Sequence, residues 1–385
     1  MKMLLFELKK YVLKPSVIVF LALFAIVNFV KFFEIYYYFG GGRYSVSGTD
    51  NISAGYDVLY AKYGGSITQE KINGIIAEYY EAQQKLDQRG IGETYYDDCY
   101  TGYPYGDVGL FRDMLIPAYE YAILYANTAN EVSELAKENV AFFTDVNEFE
   151  TKKNTLISET FNGRYVDYCV NSDGWTTFFD YKFSTILVML MLVLALSSVF
   201  SGERAGGFDK LIVSSGKRKA AVRSKLIMAA VYAFTLTLVF FALDVFYVAV
   251  FHGLDCFSAP VYAIEAYKYC PFDITLFGAL LLTFFGRCSA MLLFAAITAF
   301  VSSFGKNTAV SLGVSVFGGG ILIFLSDILP APINPLALSY MSKAYSEFSV
   351  VSIFGQPVFT TVSAFVFTLL TTAVLAALTA RRALK

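Results

Sequence analysis

Charge is scarce in this chain. Of 385 residues, 16% are charged and 56% are hydrophobic, and the mean hydropathy is +0.53. Soluble proteins carry about 25% charged residues. Histidine is nearly absent: His252 is the only one, which excludes a His-rich metal site. Nucleotide-binding glycine patterns are missing too. No GxxxxGK[ST] occurs, so the chain cannot cradle a phosphate by the P-loop route. HExxH and GxSxG are also absent, and no apolar run holds paired aspartates, a Ser–His pair or HxxxH. Nothing here points to an enzyme.

The five cysteines form no CxxC. Cys99 and Cys169 fall in an acidic region, Cys256 and Cys270 flank a short loop, and Cys288 lies in an apolar run. If the first four face an oxidising compartment, two disulfides can form. Free buried thiols are the alternative.

What is present is long apolar runs, each able to cross a bilayer core that takes ~20 residues. Six spans emerge: residues 17–38, 183–200, 226–251, one within 272–304, 308–326 and 358–380. The fourth region would be about 50 Å long as one helix at ~1.5 Å per residue. That is too short for two crossings, so a single crossing is expected, with an outer part tilted or broken near Gly286. Residues 2–14 form an amphipathic pattern, with Leu4, Leu5, Leu8 and Val12 on one face. This predicts an interfacial helix with Lys9 and Lys10 against lipid headgroups, ended by Pro15.

The net charge of −2 conceals an asymmetry. Residues 40–181 hold 22 acidic and 10 basic residues, against 10 and 20 in the remainder. Lysine and arginine concentrate in residues 1–15, 201–225, 305–307 and the C-terminal tail, while the opposite loops hold only Lys268 and Lys343. The positive-inside rule then places both termini in the cytoplasm and residues 40–181 outside. The expected class is an all-α polytopic membrane protein of the cell membrane. Its parts are an interfacial helix at 1–15, a first span at 16–39, a mainly helical external domain at 40–181, and spans two to six within 182–385.

In the external domain, residues 68–89 read as a helix introduced by Ser66 and Gln69 at capping-box spacing. Residues 110–143 read as largely helical with a kink near Pro117, and 145–162 as a third helix. The many tyrosines fit either a small amphipathic core or a docking surface for a cationic peptide. No EF-hand spacing is present, so no metal is expected. Two charges lie inside spans. Asp244 in the third and Arg287 in the fourth are placed to pair, either pinning two helices or lining a path for substrate.

The loop SGERAGGFDKLIVSSGKRKAAVRSK, residues 201–225, separates two of the most apolar stretches. Positive-inside anchoring explains its basic half but not Glu203. The order Phe200, Glu203, Gly206 or Gly207, Leu211, Ser215, Arg218 and Lys225 resembles the loop between the second and third spans of ABC-2-type transporter permeases. The amphipathic N-terminal helix, the six spans and the Pro-rich LPAPINP at 329–335 extend the resemblance along the chain. The external insert of ~140 residues departs from many members, which have only a tight loop there.

The resemblance implies that Glu203, Arg204, Gly206, Gly207, Lys210, Leu211, Ser215, Arg218 and Lys225 couple to a separate ATPase. Lys217, Arg218, Lys219, Arg223 and Lys225 would also grip anionic headgroups. Short extracellular re-entrant helices are implied within 327–357. Two ABC ATPase subunits holding ATP and Mg, and a second copy of the chain or a homologous permease, would be partners. The chain itself would bind no cofactor and no nucleic acid, only membrane lipids and an amphipathic substrate such as a peptide, lipid-linked molecule or drug. The alternative is a non-transporting sensor or immunity protein whose external domain binds a peptide.

Overall fold

The computed structural model describes residues 2–38, 50–89, 96–208, 214, 216–326 and 328–384. Six long apolar helical stretches could cross a membrane: Pro15–Ile35, Ser172–Ala205, Arg218–Phe251, Leu276–Phe304, Thr308–Leu325 and Thr360–Leu384. The second and fourth are the most enclosed, with 72% of their apolar windows buried. The first, fifth and sixth are at 17%, 17% and 11%, so they form the outside of the bundle. Apolar side chains cover most of that outside, as Leu23, Ile26, Val314, Phe317, Val366 and Leu370 show. The molecule is therefore a multi-pass membrane protein in its architecture.

The fourth span is one unbroken helix, Leu276–Phe304, started by Thr275, whose hydroxyl accepts from the Gly278 amide. Gly286 does not break it. A Cβ built there would lie 2.2 Å from the Leu338 carbonyl oxygen, so the glycine lets another segment's backbone touch the helix. That segment comprises short 3-10 turns at Ala331–Ile333 and Pro335–Ser339, then a helical turn at Ser342–Ser346.

Two small antiparallel ribbons interrupt the helical plan. Gly65–Ser66 (β1) pairs with Tyr168–Cys169 (β2), and Val350–Ile353 (β3) pairs with Gln356–Phe359 (β4). The second hairpin turns at Phe354 and Gly355, both left-handed at φ 50° and 77°, which is the two-residue turn geometry that matches strand twist.

The region between the first two spans is helical: Asp50–Tyr63, Gln69–Arg89, Pro104–Leu110, Ile116–Phe143 and Glu148–Phe161. The expected 110–143 helix divides at a wide turn, Phe111–Leu115, just before Pro117, where the missing amide interrupts the ladder. The cap at the second helix is Thr68, not Ser66: the Thr68 hydroxyl accepts from the Lys71 amide at 3.3 Å, while Ser66 lies in β1. Tyr56, Tyr63, Tyr119 and Tyr125 are buried, so the tyrosines largely build the core. This region does not close on itself. Tyr125, Phe161, Trp175 and Phe178 share one apolar cluster with Tyr262, Leu276 and Tyr345 at the ends of the spans. Burying aromatic area across this junction fixes the domain to the bundle.

Candidate functional site

Two buried polar clusters join the spans. The first lies within them. Asp244 is fully buried and Arg287 is 3% exposed, and their Oδ2 and Nη1 are 2.6 Å apart. The expected pairing of the third and fourth spans is present. Two residues that the sequence reading passed over complete it. Asn28 of the first span donates to Asp244 Oδ1 at 3.0 Å, and its own oxygen accepts from the Tyr181 hydroxyl at 2.8 Å. Ser184 of the second span donates to Asp244 Oδ2, and Arg287 donates to the Tyr181 carbonyl at 3.1 Å. Four spans thus meet at one carboxylate. Asn28, an amide amid VIVFLALFAIV, was the signal in the sequence.

The second cluster lies at the turn between the second and third spans. Phe200 leads into a short helix, Ser201–Ala205. Glu203 points inward and is 5% exposed. Its Oε1 is 2.7 Å from Lys10 Nζ and 3.3 Å from the Tyr11 hydroxyl. Its Oε2 pairs with Lys225, which is 2% exposed and also donates to the Val199 carbonyl at 3.0 Å. These contacts correct two expectations. Lys225 does not reach headgroups, and Lys10 is directed to Glu203 instead of to lipid. The reason is electrostatic: a carboxylate enclosed at a helix turn needs cations and donors close by. Glu203 is therefore a joint inside the protein, and its oxygens are already occupied.

Glu7 lies beside this joint, 4% exposed, with Oε2 lacking a hydrogen-bond partner. Burial pushes its carboxyl up and Glu203 adds to that, while Lys225 and Lys10 pull the other way.

The other residues expected to couple scatter around the joint. Arg204 donates to the carbonyls of Ser303 and Gly305, at the end of the fourth span. Gly207 has φ +71°, which suits glycine. Gly206 leaves room for the Phe208 ring, 2.8 Å from where a Cβ would be. Arg218 donates to the Ala383 carbonyl at 2.8 Å, tying the third span to the end of the sixth. Lys210, Leu211 and Ser215 lie outside the described residues.

None of the five cysteines is in a disulfide among the described residues. Cys169 and Cys256 are brought near one another, with Cys256 Sγ 4.0 Å from the Cys169 carbonyl oxygen and 3.6 Å from the Tyr60 hydroxyl, but no disulfide joins them. Burial pushes the Cys169 and Cys270 thiols up to about 12, so both stay protonated and inert at neutral pH. Cys99 lines a small acidic pocket with Glu78 and Asp107, far along the chain from the others. Among the described residues no group of His, Cys, Asp and Glu is arranged to hold a metal ion.

Comparison with known proteins finds no match: no family model, curated protein or solved structure resembles the chain.

Proposed function

We propose that the chain is the membrane-spanning subunit of an ABC-2-type transporter, moving an amphipathic substrate with energy from a separate ATPase. Both termini and the turn at 201–217 would face the cytoplasm, and the domain at 50–180 would face outward. The observation that supports this reading most is the joint at Glu203. One carboxylate ties the N-terminal helix, through Lys10 and Tyr11, to the end of the second span and the start of the third. Arg204 in the same turn holds the end of the fourth. A push on the surface of this turn would move four elements together, which is what a subunit lacking its own nucleotide site requires. The partner would press on exposed residues of the turn, such as Gly207 and Phe208, not on the Glu203 oxygens.

The test is purification of the tagged chain from its native membranes. An ATP-binding-cassette subunit should co-purify at one copy per chain, and its ATP hydrolysis should fall in Glu203→Ala while membrane insertion stays normal. Purification without any ATPase would overturn the reading and favour a sensor or immunity protein. The acidic pocket beside Tyr100 and Phe111 would then be the place to look for a cationic peptide.

A further inference from the structure

At the end of the bundle that carries the 50–180 domain, a cavity of about 410 Å³ opens between the 331–346 segment and the start of the sixth span. That volume falls in the range of small-molecule sites, roughly 300–1,000 Å³. Its floor is apolar: Leu338, Met341 and Ala364 are each 2% exposed or less. Its rim carries Asp180, Lys182, Lys343 and Glu347, all exposed.

Among the described residues, none of these four charges is in an ion pair, although all four stand around one cavity. Some surface charges elsewhere pair locally, as in Lys31–Glu34 at 2.8 Å, Lys137–Glu134 at 2.6 Å and Lys152–Glu148 at 2.6 Å. Lys343 and Glu347 are four apart, the spacing at which a helix would pair them. The helical turn ends at Ser346, however, and Glu347 is extended at φ −128° and ψ 134°. The Lys182 ammonium rests 5.0 Å from the centre of the Tyr340 ring. Two cations and two anions are thus held apart around an apolar floor.

We propose that this cavity binds the headgroup of a phospholipid carrying both a phosphate and a primary ammonium. Lys182 and Lys343 would take the phosphate. Asp180 and Glu347 would accept hydrogen bonds from the ammonium. A quaternary ammonium has no N–H to give and is held by aromatic faces. The aromatic ring at this rim, Tyr340, is already covered by Lys182. The occupant is a lipid because the cavity is lined by Thr360, Thr361 and Ala364 at the start of the sixth span, whose next turns are apolar on the outside. Val362, Val366, Leu369 and Leu370 are 46–62% exposed there and offer a track for acyl chains. The proposal does not depend on the transport reading.

The full-length purified protein in detergent tests it, by native mass spectrometry with equal amounts of phosphatidylethanolamine, phosphatidylcholine and phosphatidylglycerol. One phosphatidylethanolamine should be retained per chain, at least fivefold over each of the others. The double variant Asp180→Asn/Glu347→Gln should lose the preference over phosphatidylcholine. Lys182→Ala/Lys343→Ala should lower phosphatidylethanolamine retention at least fivefold. Equal retention of the three lipids by the wild-type protein would overturn the proposal, whether or not the variants fold. So would an unchanged preference in both folded variants. A lysine–leucine amphipathic peptide that binds more tightly than phosphatidylethanolamine, and does so through the two carboxylates, would make this a peptide site instead.

Discussion

The Asp244–Arg287 cluster and the Glu203 joint are both buried ion pairs linking spans, yet they are built differently. Around Asp244 the remaining bonds come from neutral groups on other helices, Asn28 and Ser184, and no partner can turn to water. Around Glu203 they come from the buried Tyr11 hydroxyl and from a second cation, Lys10, whose side chain is 33% exposed, and Glu7 waits nearby with an unpartnered oxygen. The first cluster is closed and fixes four helices. The second has one arm at the surface and can be loosened. A static pin belongs in the interior of a bundle, and the proposed coupling to a partner would suit a joint at its edge.

Breaking the closed cluster should have the largest effect. Arg287→Leu leaves Asp244 buried without a counter-charge, and should cost about 3–5 kcal/mol of stability. Asp244→Leu/Arg287→Leu should recover most of that loss, since a buried pair replaced by apolar groups is often neutral. Thermal unfolding in detergent measures both, and a double variant as unstable as the single one would show that the pair is not the cause.

At the open joint the loss should be smaller and unequal. Glu203→Ala strands Lys225, which is enclosed, and should lower stability by about 2–4 kcal/mol. Lys10→Ala removes a partly exposed partner and should cost under about 1 kcal/mol. Equal losses at Lys10 and Glu203 would erase the contrast between the two arms.

Packing gives the next step down. Gly286→Ala forces a Cβ against the Leu338 carbonyl and should cost about 1–3 kcal/mol. Gly318→Ala in the fifth span meets nothing within 4 Å and should be neutral or slightly stabilising. The same unfolding assay separates them, and similar values would mean that the 331–346 segment does not rest on the fourth span.

The smallest effect is expected at Glu78 in the 50–180 region. Its burial raises the carboxyl, but bonds from Lys62, Tyr100 and Tyr63 outweigh that and hold it below the usual carboxylate range. Its contribution is therefore complete above about pH 4.5 and is lost as pH falls through the depressed value. Unfolding of the wild-type protein should steepen with acid over that window, and Glu78→Gln should flatten the dependence. No change in the variant's acid profile would count against the sign.

Much of the fold was legible in the sequence because a bilayer imposes a length and a polarity on every crossing. Span five read to within a residue and spans one and six to within two to four, since helices on the outside of the bundle are apolar on nearly all sides. The helix of 34 residues at Arg218–Phe251 starts eight residues before its apolar run, because Lys225 is carried inside on Glu203. Gly286 was misread as a break, because a glycine that yields space to another chain segment looks like one that yields flexibility. The hairpin at 350–359 was missed, since its strands are too short for alternation to stand out. At the candidate site Asp244 and Arg287 could be paired from their positions, but Lys10 and Tyr11 gave no sign of their partner 192–193 residues away.

Composition and periodicity alone determined that this chain has six stretches long and apolar enough to cross a membrane, and that it keeps its charge in a few places. Tertiary structure decided where those charges point. Glu203 stood out in the sequence as the one residue that anchoring could not explain, and its surface or interior position could not be read from its neighbours. A buried carboxylate is tolerable only where cations from distant segments converge on it, and that convergence exists only once the helices have packed.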